Sequence, residues 1–473
     1  MKAVLCLLCC IMLRNSHAVA QSWQQIGDLK RSPVKILLDI STQYLYVAGG
    51  GVYNGVDTIN GFFYYDGDSI IGLGAGRNDC GNIECNPVNT ISLYQGNIVI
   101  GGAFQTIGNI GTNGLASWDG ASWSGIPGLY NTPYPNYPLD TIAAIYGSVV
   151  KDDSLLYITG KFLKAGQDTS YSVARWNGSS WTGIRFLPDF FGRPWPVYNL
   201  CFYKDELYVT GSFEVELDGH VEFGIARFDG ETWHSVGGGM FGGLSDVYDM
   251  VVYKDELYAC GTFKSADGNI GNKIMRWNGT EWHDVGGGFC GPSTVSDMIV
   301  YQDKLYMAGL FSCVGNGLPA NSIAVWDGER WCTFGDNQVF NNRISCLAIW
   351  NDELYLCGGF TKIGTETIKY FARYTGPMAE TACTAVPVVD LQEIGSLIDV
   401  YPNPAGDVID VSWADLPGSA LKLVSVDGRC VREMNVAASN RVRIDLTGLS
   451  PGIYSLQLYL PDGLWTGKVV VAQ

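Results

Sequence analysis

A unit of about fifty residues recurs seven times between Ser22 and Gly376, and this repeat limits what the chain can fold into. Its clearest copies run from Val197 to Phe213 with Ile225 to Gly239, and from Val247 to Phe263 with Ile274 to Gly288. Each copy holds four short strand signals. In one copy these are the apolar run Met250 to Tyr253, then Leu257 to Phe263 after the tight turn Lys254-Asp255-Glu256. Ile274 to Trp277 follows, and Asn278-Gly279 leads to a last strand holding Trp282 and Val285. A period of this length built only from short strands predicts a β-propeller with one blade per copy. The expected fold class is all-β, a seven-bladed β-propeller followed by a small immunoglobulin-like β-sandwich.

Asp-Gly or Asn-Gly pairs recur at Asp66-Gly67, Asp119-Gly120, Asn177-Gly178, Asp229-Gly230, Asn278-Gly279 and Asp327-Gly328. Such pairs tolerate positive φ, so two-residue type I′ hairpin turns are expected there. Glycines at Gly49, Gly102, Gly160, Gly211, Gly261, Gly309 and Gly358 mark the second strand of each copy, where a neighbour can approach closely. The seventh copy ends at Thr375-Gly376 without a Trp-containing last strand, and Ser22-Trp23-Gln-Gln-Ile-Gly27 matches the missing piece. Pairing the two ends would close the ring and cover an open edge. The propeller is thus placed at residues 21–376.

The motifs Leu-Tyr-x-x-Gly-x-Phe, Ile-Ala-x-Trp-Asp-Gly and Trp-x-x-Val-Gly resemble the kelch-like propeller superfamily, in the Trp-Asp-Gly-x-x-Trp form seen in a yeast bud-site marker protein. The resemblance covers roughly residues 22–376. The kelch double glycine is kept only at Gly49-Gly50, Gly101-Gly102 and Gly358-Gly359, and these scaffold residues bring no chemistry with them.

Met1-Lys2, the apolar stretch Val4 to Leu13 and the small residues before Gln21 read as a signal peptide over 1–20, cleaved between Ala20 and Gln21. A lipoprotein signal at Cys9 or Cys10 is the alternative. No other segment is long and apolar enough to span a bilayer, so none is expected in the mature chain. Residues 377–395 read as a linker, and 396–473 as a separate small all-β module. In that module Tyr401-Pro-Asn-Pro404, Asp427-Gly428, Leu449-Ser-Pro-Gly-Ile-Tyr454 and Gly467-Lys-Val-Val-Val471 occur in order. This closely resembles the type A C-terminal sorting domain of the Bacteroidota type IX secretion system. The resemblance implies an immunoglobulin-like sandwich, partnership with the type IX machinery, and a secreted or outer-membrane cell-surface location.

The net charge of −17 becomes about −19 once Lys2 and Arg14 leave with the signal peptide, which argues against nucleic-acid binding. Three of the fourteen cysteines lie in residues 1–20, leaving an odd number. Cys80 and Cys85 are the local candidates for a disulfide. Cys346 and Cys357, on adjoining strands, either pair or are buried as thiols. No zinc-type Cys/His spacing, nucleophile elbow, phosphate loop or dinucleotide fingerprint occurs, so no catalytic residue, metal or cofactor is assigned. His234 and His283 share one repeat position on outer strands, which favours a structural role.

Two segments stand apart from the scaffold. Glu214-Val-Glu-Leu-Asp-Gly-His-Val-Glu222 gathers carboxylates, but its alternation about Asp218-Gly219 reads better as an exposed hairpin extension than as a cation site. Two long aromatic loops, 129–138 and 186–195, follow the last strands of consecutive copies and so begin on the same propeller face. Their rings Tyr130, Tyr134, Tyr137, Phe190, Phe191 and Trp195 are the candidate ligand-binding residues. The competing reading has these rings pinning proline-rich loops to the scaffold. The expected function is a non-catalytic recognition module for an extracellular glycan or peptide. The alternatives are a polysaccharide-active or other hydrolytic enzyme, which needs paired carboxylates at the axis, or a purely structural surface protein.

Overall fold

The computed structural model describes residues 22–53, 58–73, 76–77, 88–107, 110–131, 143–241, 246–266, 269–270, 272–291, 293–315, 317–378, 380–383, 398–413, 420–425, 430–436, 441–460 and 463–472. Among them there is no helix, and antiparallel sheets account for the regular structure. Seven of these sheets each contain four strands contributed by the repeat. They occupy 29–72, 88–125, 144–183, 197–234, 247–284, 294–334 and 344–374, numbered one to seven below.

Sheet seven takes its fourth strand from the other end of the chain. Trp23–Gln25 pairs with Phe371–Tyr374, with Trp23 opposite Tyr374. Sheet six gains a fifth strand, Glu380–Cys383, on its outer edge. The first strands of successive sheets pack side by side in cyclic order, and the first strand of sheet seven returns to that of sheet one. Polar side chains lace these inner strands together. Asp249 accepts the N–H of Met298 at 2.8 Å, Asp297 accepts that of Leu347 at 2.8 Å, and Cys346 Sγ accepts that of Ile36 at 3.3 Å.

The repeat residues have specific jobs. Tryptophans face each other across the last two strands at Trp118–Trp123, Trp176–Trp181, Trp277–Trp282 and Trp326–Trp331, with ring centroids 5.1 to 5.3 Å apart. The second indole of each pair then reaches back one sheet. Trp123 donates to Leu73 C=O at 2.6 Å, Trp181 to Pro127 at 2.7 Å and Trp282 to Val236 at 2.9 Å. Each such ring fills the gap between sheets and satisfies its own N–H there. Gly261 permits the first strand to come near, since a Cβ there would lie 2.0 Å from Asp246 C=O.

The Asp-Gly turns differ from expectation. In them only the glycine has positive φ, for example 97° at Gly120, and four residues separate Trp118 from its partner Trp123. The aspartate side chain closes the turn instead, since Asp119 Oδ1 accepts the N–H groups of Ala121 and Ser122 at 2.8 and 2.7 Å. The paired positive φ of a two-residue turn falls between the first and second strands, at Lys254 (49°) and Asp255 (61°). Lys254 Nζ there donates to Asp327 C=O at 2.8 Å in the next sheet. Gly328 leaves room for it, because a Cβ would sit 2.7 Å from that nitrogen.

Residues 398–472 form a three-stranded and a four-stranded sheet that share one buried core, including Val411, Trp413, Leu421, Ile444, Leu456 and Val469. Asn403 ties the Tyr-Pro-Asn-Pro segment to the last strand, donating to Lys468 C=O at 2.7 Å and accepting from Val470 N–H at 2.8 Å.

Candidate functional site

Loop 186–195 is anchored at both ends and raised in the middle. Phe186 is fully buried against Phe213 and Trp233, with centroids 5.0 and 4.8 Å away. Trp195 is half-buried against the same core, and its C=O accepts the Ser172 hydroxyl at 2.6 Å. Between these anchors Asp189 folds a turn around itself. Its carboxylate accepts the N–H groups of Phe191 and Arg193 at 2.9 and 2.8 Å and pairs with Arg193 Nε at 2.6 Å. The turn lifts Phe190 and Phe191 into solvent, 96% and 72% exposed. Their rings meet edge-on at 85°, and the Arg193 guanidinium lies 4.9 Å over Phe191. Phe186 and Trp195 thus pin the loop to the scaffold, whereas Phe190 and Phe191 face solvent.

The acidic segment is a hairpin, as its alternation implied. Strands Glu206–Leu217 and His220–Phe228 extend beyond their sheet and turn at Asp218 and Gly219. One face is strapped down. Glu222 is wholly buried, accepting the Ser235 hydroxyl and Val236 N–H (3.3 Å), and burial pushes its carboxyl up. Asp218 accepts Ser235 N–H at 2.9 Å. His234 bridges Asp218 and Asp229, with Nε2 2.9 Å from Asp229, and that contact raises its imidazole. Glu214 and Glu216 lie on the opposite, exposed face.

That exposed face and the aromatic loop enclose a cleft of about 430 Å³. Phe190, Phe191, Arg193 and Trp195 line one wall, and Glu214, Glu216 and Val221 the other. Sequence reasoning singled out both segments but did not place them together. The signal was available, because the loop precedes and the hairpin extends the same sheet. Tyr130 is half exposed and pairs with Lys164 in a small separate sheet, away from the cleft lining. Tyr134, Tyr137, Cys80, Cys85, Ala20 and Gln21 lie outside the described residues.

Other clusters were missed. Tyr146, Tyr198 and Tyr248 occupy one repeat position in three consecutive sheets, with successive centroids 5.9 and 6.2 Å apart. Burial and the nearby Asp246 push Tyr198 up to about 12. Disulfides join Cys290 to Cys313 and Cys332 to Cys383, while Cys346 and Cys357 face each other as buried thiols. Cys290 and Cys313 lie in loops of adjacent sheets that share a face, so their meeting was legible. Asp327 lies beside Cys332 and Cys383, but the two sulfurs of that group are bonded to each other.

On the inner strands Asp249 and Asp297 each engage both carboxylate oxygens, whereas Asp246, just before its strand, leaves Oδ1 buried without a hydrogen bond. Asp249 accepts from Asn199 Nδ2 at 2.5 Å and from Met298 N–H, while Asp297 accepts from Lys35 Nζ at 3.2 Å and from Leu347 N–H.

Residues 399–472 match the family of secretion system C-terminal sorting domains. No curated protein matches the chain. Among solved structures, the chain is similar to the extracellular domain of a protein described as a one-component system from B. thetaiotaomicron, at 10% identity and TM-score 0.44. A second is the extracellular domain of a protein described as a hybrid two-component system from the same organism, at 8% identity and TM-score 0.46. Each alignment covers 95% of this chain, but the chain spans only 59% and 57% of theirs. A computationally designed protein is matched over its whole length at 11% identity and TM-score 0.36, again over 95% of this chain. At these scores the likenesses carry no argument about ligand or activity. Among the described residues no helix is long and apolar enough to cross a membrane. The sorting domain implies interaction with the type IX secretion machinery, and the protein is secreted or held at the cell surface.

Proposed function

We propose that residues 21–376 form a kelch-like, seven-bladed β-propeller that acts outside the cell as a non-catalytic recognition module for a glycan or peptide. In this reading residues 1–20 are a removed signal peptide, 377–395 a linker and 396–473 an immunoglobulin-like sorting domain. The cyclic packing of seven inner strands and the N-terminal strand in sheet seven support the propeller. The carrying observation for function is the cleft, where two exposed phenylalanines face two exposed carboxylates on a strapped-down hairpin. A rigid wall opposite exposed rings suits binding with little ordering cost. A hydrolytic reading would turn to Asp249 and Asp297, whose four oxygens all serve contacts between or within inner strands.

The test is capture on glycan and peptide arrays by the full chain and by a Phe190→Ala/Phe191→Ala variant. Loss of both rings should weaken the captured ligand roughly tenfold or more, with the melting temperature unchanged. Undiminished capture by the variant removes the cleft as the recognition site.

A further inference from the structure

We infer that the cleft takes an extended peptide carrying a basic side chain, which adds as a strand to the open edge of the 206–228 hairpin. This rests on the reading of the cleft as a recognition site. Asp218 and Gly219 both have positive φ, 53° and 79°, and Leu217 stands opposite His220. In a two-residue turn of this kind the flanking residues exchange main-chain hydrogen bonds. Alternation then makes Val215 and Glu222 the next bonded pair. Glu216, opposite Val221, and Glu214, opposite Phe223, are the unbonded positions. The N–H and C=O groups of Glu214 and Glu216 therefore point out of the hairpin.

They point toward the side from which the preceding strand has withdrawn. Val197–Tyr203 pairs with the hairpin's first strand only as far as Gly211, and Ser212 N–H then bonds Pro196 C=O at 3.0 Å. Beyond that point, among the described residues, no main-chain hydrogen bond joins Glu214 or Glu216 to a segment outside the hairpin. The loop that returns on this side is 186–195, which stands across the cleft. Outward-facing donors and acceptors at two-residue spacing are what strand addition uses.

The side chains select the chemistry. Glu214 and Glu216 project from one exposed face with no cation beside them among the described residues, and Arg193 across the cleft is already paired with Asp189. The walls therefore carry net negative charge, which complements lysine or arginine. The alkyl stem of such a side chain also has an apolar surface in Phe190 and Val221. A sugar ring is served less well, because Phe190 and Phe191 meet at 85° and present no common flat platform.

The purified full-length chain is tested against end-blocked hexapeptide pools with one position fixed at a time, and against chitin and cellulose hexaoses. Pools with lysine or arginine at alternate positions should be retained. Binding of the best peptide should weaken roughly tenfold in Glu214→Gln/Glu216→Gln, which removes two charge-assisted contacts. Methylating alternate peptide nitrogens should abolish binding, because it blocks edge pairing. If peptides bind without basic preference, if methylated peptides bind equally, or if only the hexaoses bind, the inference falls. The cleft reading survives any of those results provided Phe190→Ala/Phe191→Ala still loses binding. If no probe binds, or if that variant binds everything undiminished, both fall.

Discussion

Lys35 Nζ lies 3.2 Å from Asp297 Oδ1 although 262 residues separate them in sequence. The lysine belongs to sheet one and the aspartate to sheet six, so the contact spans sheet seven, where the two ends of the repeat region are joined. The equivalent residue of sheet seven is Cys346, small enough to let the lysine pass. Asp297 is nearly inaccessible, with its side chain 5% exposed, whereas that of Lys35 is 38% exposed.

Lys35→Met should therefore destabilise the fold by leaving a buried carboxylate with only the Leu347 N–H. A fully buried pair broken on one side loses about 3–5 kcal/mol, and water at Lys35 reduces this to roughly 1–3 kcal/mol. Urea unfolding of Lys35→Met, Asp297→Asn and the double variant checks it. The double variant should be more stable than the sum of the single losses allows, and strict additivity would show that the two residues do not interact.

Asp249 sets a pH dependence. Burial, reinforced by Asp297, pushes its carboxyl up to about 7, against the opposing pull of Lys35 and the N–H bonds it accepts. The folded state thus holds this proton more tightly than the unfolded chain does. The resulting stability is present below the unfolded value of 3.8 and is lost as pH rises through about 7. The difference in unfolding free energy between Asp249→Asn and the parent should grow in favour of the variant from pH 4.5 to pH 8, by on the order of a few kcal/mol. A difference independent of pH would show that Asp249 is ionised throughout.

The aromatic loop predicts two contrasting outcomes. Trp195→Ala should lower stability, by roughly 2–3 kcal/mol for a half-buried ring, less than the 3–5 typical of full burial. Phe190→Ala and Phe191→Ala should stay within about 0.5 kcal/mol of the parent, since both rings are exposed. Thermal melts of the three variants separate the anchoring ring from the exposed ones, and equal losses in all three would mean that the whole loop is packing.

Why one of these rings is an anchor was only partly legible. Period and turn residues disclosed the sheets, and the truncated seventh copy disclosed that Trp23 completes it. Those features are local and repeat, so each copy corroborates the next. Position within a loop does not repeat. Whether Phe186 or Phe190 faces inward depends on the Asp189 turn, which nothing in the composition of the loop specifies. The lacing residues Lys35, Asp249 and Asp297 escaped notice for the related reason that the repeat position changes chemistry around the sheets, from Lys35 through Asn199 and the two aspartates to Cys346. The join of Cys332 to Cys383 was hidden because Cys383 lies beyond the last copy.

That disulfide decides where the export signal can be removed cleanly. Glu380–Cys383 pairs with the last strand of sheet six, and Cys383 is bonded to Cys332, so the body of the protein continues past the final repeat. Cutting at Gly376 would leave Cys332 unpaired and bare the outer edge of sheet six, which confounds loss of export with misfolding. A chain ending just after Cys383 keeps both and lacks residues 384–473, which contain the matched sorting residues 399–472. It should fold with the stability of the full protein's repeat region and accumulate inside the outer membrane. Fusing 396–473 to an unrelated periplasmic protein should carry that protein out. Fractionation of cells expressing each form, with immunoblotting of medium, surface and periplasm, provides the check. Appearance of the shortened chain in the medium at parent levels would separate export from the terminal domain.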